Sequence, residues 1–286
     1  MKKLLVILIA LNFIIFSATV SAVPYKNDIV KIEFIHYNDV KSIKSAKVVT
    51  PKCYNTLGAN YYTYPLDYVI NPTNPYGLTN NFVKSSLYSS AETWDSKTSI
   101  NLFNDNPAID YSAQYGVMDL KNSLVFGDYP DDRVIAVTSL WISAKKKRIL
   151  EFDIEFNTRF RWGDATNPPT NTNCTQWEQQ CSWWYNECAQ WDNITYENGT
   201  VEEVCTEWRP ACGDLQDVCA NWQTDIIPIM DLQNIATHEF GHAVGLDDVY
   251  ENACSEVTMY GYSTEMETKK RTLEQPDIKG FLTIYP

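Results

Sequence analysis

His238 and His242, four residues apart with Glu239 between them, are the side chains whose types and spacing could do chemistry in this chain. They stand in the run Thr237-His238-Glu239-Phe240-Gly241-His242-Ala243-Val244-Gly245-Leu246-Asp247-Asp248. Residues four apart on a helix lie one above the other, so both imidazoles aim at one point in space. Glu239 is rotated by about 100° from His238, which lets it reach a water on a metal held there without ligating the metal itself. Gly245 can take a positive φ, end the helix and turn the chain back, bringing Asp248 to the metal as third ligand. Three protein ligands leave one position for water, the arrangement of a catalytic zinc site. Asp247 is the alternative carboxylate, better suited to the surface or to orienting a ligand. The chain has only three histidines. His36, the third, lies far upstream and reads as a surface or packed residue.

The elements that must position these groups follow from periodicity. Residues 23–57 form a leader of mixed character with one alternating stretch, Val30–Ile35. Tyr64–Ile70 reads as a strand, followed by turn text at Asn71-Pro72 and Asn74-Pro75-Tyr76-Gly77. Thr79 or Asn80 can cap a helix in which Val83, Leu87, Ala91 and Trp94 share one face. Strands are expected at Ser123–Phe126, Val134–Ile142 and Ile149–Phe156, the last two joined by a solvated turn at Lys145–Arg148. The stretch Ile226–Val244 carries the helix of the histidines, with Asp231 as N-cap, and Gln275–Ile284 predicts a closing helix. A sheet followed by helices gives an α+β domain spanning residues 58–286.

Residues 164–225 break this pattern. They hold six of the eight cysteines, six of the nine tryptophans and the glycosylation sequons at Asn173, Asn193 and Asn198. The cysteines lie seven apart in two runs, Cys174, Cys181, Cys188 and Cys205, Cys212, Cys219. Three positions after each stands Trp177, Trp184, Trp191, Trp208, Leu215 or Trp222. Alternating spacings of three and four trace one stripe of a helix, so the text predicts a helical hairpin with the tryptophans forming its core. Pro210 is the residue that does not suit it. Antiparallel pairing about one hairpin axis predicts nested disulfides, Cys174–Cys219, Cys181–Cys212 and Cys188–Cys205, among the 15 connectivities that six cysteines allow. Cys53 and Cys254 remain, either as a disulfide tying the leader to the loop after the histidines or with Cys53 as a thiolate capping the metal.

Composition limits the partners. Lys2 and Lys3, the apolar run Leu4–Phe16 and the small residues before Ala22 describe a signal peptide, residues 1–22. The apolar run is shorter than the ~20 residues of a spanning helix, so an exported chain without a membrane span is expected. Without residues 1–22 the chain has 21 basic against 36 acidic side chains, a surface that repels nucleic acid and anionic lipid. Eight cysteines in an exported chain point to disulfides. Oligomeric state is left open.

The histidine text and its surroundings resemble the metzincin zinc peptidases, and within them the matrixins. His238, Glu239, His242 and Gly245 stand where that family has its ligand pair, general base and turn glycine. Met259, in Val257-Thr258-Met259-Tyr260-Gly261-Tyr262, looks like the methionine of the turn beneath the zinc. Tyr64–Ile70, the helix ending at Trp94, Val134–Trp141, Ile154–Trp162 and Asp277–Tyr285 follow the matrixin order, so the resemblance covers residues 58–163 and 226–286. Matrixins carry a third histidine where Asp248 stands; the snapalysin-like metzincins use Asp there. The carboxylate lowers the charge of the site and makes its zinc a weaker Lewis acid. The leader lacks the cysteine-switch text of matrixin propeptides.

The resemblance implies a twisted mixed sheet with an active-site helix and a C-terminal helix, one catalytic zinc and a protein or peptide substrate. Val134–Ile142 would be the strand at the cleft edge, pairing with that peptide by main-chain hydrogen bonds. A zinc-bound water would attack, with Glu239 taking its proton and returning it to the leaving amine. Tyr260 and Tyr262 would shape the pocket beyond the cut, by packing or by donating to the oxyanion. The insert occupies the position at which gelatinases carry collagen-binding modules, without resembling them. Exposed aromatics on it, such as Trp183 and Tyr185, would form a substrate exosite. Calcium is left open, since no ordered ligand motif appears. The competing function is a catalytically silent exported binding or adhesion protein on the same metal-stabilised scaffold, acting through the glycosylated insert. Such a scaffold needs the ligands but not Glu239.

Overall fold

Val134–Ser143 is a run of ten residues, every one of them buried. Only a strand covered on both faces and along both edges buries such a run. The computed structural model describes residues 28–38 and 52–286. The expected signal peptide, residues 1–22, lies outside them, as do the parts of the leader that flank residues 28–38. In chain order the elements are β1 (Ile29–Tyr37), β2 (Asn55–Thr56), β3 (Tyr68–Ile70), α1 (Asn80–Asp95), β4 (Ala108–Ile109), β5 (Asn122–Gly127), β6 (Val134–Ser143) and β7 (Arg148–Asn157). They continue as β8 (Trp162–Gly163), β9 (Thr170–Thr195), β10 (Val201–Ile226), β11 (Met230–Asp231), α2 (Leu232–Ala243), β12 (Leu246–Asp247) and α3 (Gln275–Leu282).

The main sheet has the order β1-β6-β7-β5-β3-β4. β7, β5, β3 and β4 run parallel, while β6 is antiparallel to both of its neighbours, β1 and β7. This mixed sheet with two long helices packed together against it is the expected α+β domain. The expectation of β6 as an edge strand does not hold. The alternating stretch of the leader becomes β1 and takes that edge, from Ile29 opposite Ser143 to Tyr37 opposite Val134. The strand expected at Tyr64–Ile70 is confined to its last three residues. Pro65 offers no N–H, and before Tyr68 only Leu66 bridges, to Phe103.

Between sheet and helices lies an aromatic core. Phe240 of α2 meets Phe103 at 5.1 Å, Tyr68 at 5.6 Å and Phe152 at 6.0 Å between ring centroids. Thr79 caps α1 by accepting from Phe82 N, and Asp231 caps α2 by accepting from Asn234 N. Asp231 also binds Ala165 N and the guanidinium of Arg271, which reaches Asp164 as well. Trp94, fully buried on α1, donates its indole N–H to Thr237 O at 2.8 Å. The bond fixes α1 against the turn of α2 that carries the first histidine.

The cysteine-rich insert is not the helical hairpin its spacing predicted. It is a two-stranded antiparallel ribbon, β9 with β10, each strand 26 residues long. An odd repeat of seven should throw successive cysteines onto opposite faces of a strand. The register shows why it does not. Each repeat contains one unpaired extra residue per strand: Thr175, Ser182 and Ala189 on β9, and Thr206, Gly213 and Ala220 on β10. Seven residues therefore advance the ladder by six, an even step, and every Cys returns to the same face. Pro210 is tolerated because both strands of a ribbon are edges.

Opposite each cysteine stands an apolar side chain: Cys174 faces Trp222, Cys219 faces Trp177, Cys181 faces Leu215, Cys212 faces Trp184, Cys188 faces Trp208 and Cys205 faces Trp191. The structure joins Cys174 to Cys219, Cys181 to Cys212 and Cys188 to Cys205, with Cα separations of 5.8, 5.7 and 5.7 Å. The expectation that these tryptophans make a core is overturned. All six apolar partners are more than half exposed and flank the disulfides on one open face.

Glu151 and Asp153, buried on β7, hold the segment ahead of β5. Glu151 accepts from Asp119 N and Leu120 N, and Asp153 from Gly116 N and Ser123 N. Burial pushes both carboxyls up to about 7. The folded chain therefore binds their protons more tightly than the unfolded one, so their contribution to stability is full at acid pH and is lost as pH rises through about 7. Urea midpoints measured from about pH 5 to 8 should fall more steeply for the parent than for Asp153→Asn.

Candidate functional site

Helix α2 ends at Ala243 with Val244 as its C-cap, and Gly245 follows with φ +96°. A Cβ at Gly245 would lie 2.7 Å from Ala59 O, so both the backbone angle and the space require glycine. The turn returns the chain through β12, which pairs with β2, and delivers Asp248 to the two histidines. His238 Nε2 and His242 Nε2 lie 3.1 Å apart, and Asp248 Oδ1 is 3.3 Å from the first and 3.5 Å from the second. Asp247 turns its carboxylate to Asp248 N instead.

Backbone carbonyls fix which ring nitrogens carry protons. His238 Nδ1 lies 2.7 Å from Thr258 O, and His242 Nδ1 lies 3.1 Å from Leu246 O. A carbonyl only accepts, so each Nδ1 donates, and in the neutral ring that a metal requires each Nε2 presents a lone pair. Two lone pairs at 3.1 Å make no hydrogen bond with one another. Asp248 Oδ1 is buried with no hydrogen-bond donor, while Tyr250 donates its hydroxyl to Oδ2 at 2.9 Å. Three inward-facing electron pairs without a donor call for a cation. Their separations match the edges of about 3.3 Å in a tetrahedron with bonds of about 2.0–2.1 Å, so this donor set fits zinc.

Glu239 sits beside this cluster, fully buried. Thr138 of β6 donates to Glu239 Oε2 at 2.6 Å, and His36 Nδ1 lies 3.1 Å from Oε1. Burial pushes the Glu239 carboxyl up to about 7, with His242 and the Thr138 bond acting against it. Burial also lowers the histidine His238, to about 4. Under the helix, Met259 is fully buried, and its N–H and that of Thr258 donate to Asp277 of α3. A Cβ at Gly241 would meet Met259 Sδ at 2.2 Å, so the glycine between Phe240 and His242 lets the methionine press against α2. Tyr260 and Tyr262 meet edge to face at 5.7 Å, with the Tyr260 hydroxyl turned toward Asn252.

The sequence reading missed three contributors. His36 belongs at the site: it is fully buried, tilted over His238 at 3.9 Å and in contact with Glu239. Lys270, fully buried in the turn Lys269–Arg271, points Nζ at His36 Nε2 from 3.1 Å and is anchored by Tyr260 O and Tyr262 O. Burial lowers its ammonium to about 8. Thr138 is the third. The signal for His36 was its place in an alternating strand, whose even positions turn inward; nothing local marks Lys270. Cys53 is bonded to Cys254, with Cα atoms 5.3 Å apart, so the reading in which it caps a metal as a thiolate falls.

A buried helix bearing two histidines and a glutamate beside a mixed sheet, with a methionine turn beneath, defines the zinc-peptidase class of the metzincins. The sequence profile of the matrixins matches residues 61–286, and the chain belongs to this family of zinc-dependent endopeptidases. No curated protein matches the chain.

Tyr250→Phe removes the hydroxyl that donates to Asp248 Oδ2. It should weaken zinc binding about 10–100-fold in chelator competition, and Asp248→Ala should weaken it further with the fold retained by circular dichroism.

Proposed function

We propose that the protein is a secreted zinc-dependent endopeptidase in which His238, His242 and Asp248 hold the metal and Glu239 is the general base. The observation that carries this reading is the convergence of two oriented Nε2 lone pairs and a donorless carboxylate oxygen beside a second, non-ligating carboxylate. Asp248 in place of a third histidine follows the snapalysin-like pattern. Zinc bound there would polarise the scissile carbonyl and acidify a water. Glu239 would take the proton of that water and hand it to the leaving amine, held in place by Thr138 through its other oxygen. An extended peptide would pair with β6 along the edge that β1 takes in this structure, from Ile29 opposite Ser143 to Tyr37 opposite Val134. Export is supported by the leader text and by four disulfides. Among the described residues no helix is long and apolar enough to cross a membrane.

The test is casein cleavage by the zinc-loaded chain, intact and after a specific cut between Asn38 and Cys53, beside Glu239→Ala. Glu239→Ala should retain zinc and lose about 10²–10⁴-fold in chelator-sensitive cleavage. Zinc on both proteins without cleavage by either form of the parent would favour the silent binding protein. A folded parent without zinc would remove the reading.

The ribbon extends the proposal to large substrates. Trp183 and Tyr185 lie with ring centroids 5.6 Å apart and tilted planes, Trp183 over Gly213, on the face opposite the disulfides. Both faces therefore offer exposed aromatic rings. Thr170 pairs with Ile226, so residues 171–225 can be excised between adjacent ends. The excised enzyme should cleave a short peptide at the parent rate and casein several-fold more slowly. Equal loss on both substrates would remove the exosite.

A further inference from the structure

The two faces of the ribbon differ. Because each unit is an even step, side chains keep their side from base to tip. On one side each disulfide and its two partners make a square. Cys174 stands beside Trp222 and Cys219 beside Trp177, with the disulfide along one diagonal and the tryptophans at the ends of the other. The square recurs around Cys181–Cys212 with Trp184 and Leu215, and around Cys188–Cys205 with Trp191 and Trp208. One unit of about 20 Å separates each square from the next. A single pair of side chains stands between successive squares, Gln179 with Asp217 and Asn186 with Pro210.

Charge is sorted onto the other side. Residues 170–226 hold ten carboxylates and one cation, Arg209. By alternation only Glu203 and Asp217 share the side of the disulfides, and Glu197 lies in the tip between the strands. The other acids face away, where several are tied to neighbours: Arg209 to Glu187, Gln190 to Asp192, Gln216 to Asp214 and Gln223 to Asp225. Asn193, of the middle sequon, falls on the disulfide side but beyond the last tryptophan, Trp191.

A sheet with one apolar and one charged face is half of a sandwich. The six apolar corners of the squares are each 55 to 64 % exposed. At roughly 150 Å² for each large side chain, they offer on the order of 800 Å², the share that each partner gives to a stable interface. The pattern also repeats under a half turn about the central square, which carries Cys174 onto the place of Cys205 and Trp177 onto that of Trp208. A second copy of this face presents three apolar squares at the same spacing, so all three contacts can form at once.

We propose that the disulfide face is a homodimer interface, in which two copies of the chain pack their ribbons square against square with the acidic faces outward. The interface is isologous, the same patch serving both partners. Trp183 and Tyr185 stand on the outward side and remain free for a substrate. The contact is apolar and most of the like charge points away from it, so added salt screens what repulsion remains. The proposal is independent of the peptidase reading.

Sedimentation equilibrium of the full, folded chain from about 0.1 to 100 μM tests it. A dimer with a Kd in the micromolar range or tighter is expected, and raising salt from about 0.1 to 1 M should not loosen it. Trp184→Ser with Trp208→Ser should raise the Kd at least about tenfold. Trp183→Ser with Tyr185→Ser, an equal loss of rings from the opposite side, should leave it unchanged. All four side chains are exposed, and circular dichroism checks that both variants keep the fold. A parent that stays monomeric throughout would overturn the proposal. If that monomer pellets with phosphatidylcholine vesicles and the first variant does not, the face belongs to a lipid surface instead. A dimer indifferent to the first variant, or weakened equally by both, would overturn the choice of face.

Discussion

Two imidazoles are held with their Nε2 atoms face to face, 3.1 Å apart, beside a buried carboxylate oxygen without a hydrogen-bond partner. Left alone, this arrangement is unfavourable, because each electron pair has been taken out of water without a partner. The surrounding structure exists to hold it. Thr258 and Leu246 lend carbonyls that fix the tautomers, Gly245 folds the chain back through a space that admits no side chain, and Tyr250 turns the carboxylate. Behind them Trp94 pins the helix and Asp277 pins the methionine turn. A cation relieves the conflict, so much of the folding constraint is also affinity for the metal.

The site was legible where the chemistry is local. Spacing alone brought His238, His242 and Glu239 onto one turn of helix, Gly245 announced the reversal, and Asp231 announced the start of α2. Thr138, His36 and Lys270 were not legible, because their relation to Glu239 is created by the sheet order and by a turn more than thirty residues further on. A leader of mixed composition gives no sign that one of its strands will sit beside a strand a hundred residues later. The alternation at Val30–Ile35 revealed a strand but not its partner. β6 likewise reads as a buried strand, while its status as edge or interior depends on that distant addition.

The insert shows how one pattern can serve two structures. Spacings of three and four satisfy a helical stripe, and they equally satisfy a ribbon that discards one residue in seven. Disulfide pairing could be argued from the hairpin axis without deciding between them, since an antiparallel register nests the cysteines in either case. What separates the two is the fate of the tryptophans. A helical hairpin would bury them between its arms, whereas a ribbon has no interior, and the rings flank the disulfides in the open. Pro210 counted against a helix, and the β-branched residues of the tip, Ile194, Thr195 and Val201, were the local text favouring strands.

The bulged repeat has a consequence for how such an insert changes in length. A unit of seven residues on each strand restores the face, the register and the position of the next cysteine pair. The ribbon can therefore grow or shrink by whole units, each about 20 Å long, with the sheet and helices at its base untouched. An insertion that advances the ladder by an odd number of residues would turn the following cysteines to the opposite face. Seven is thus the increment that carries the bulge, the face and the next cysteine pair together, by duplication in a lineage or by design at the bench.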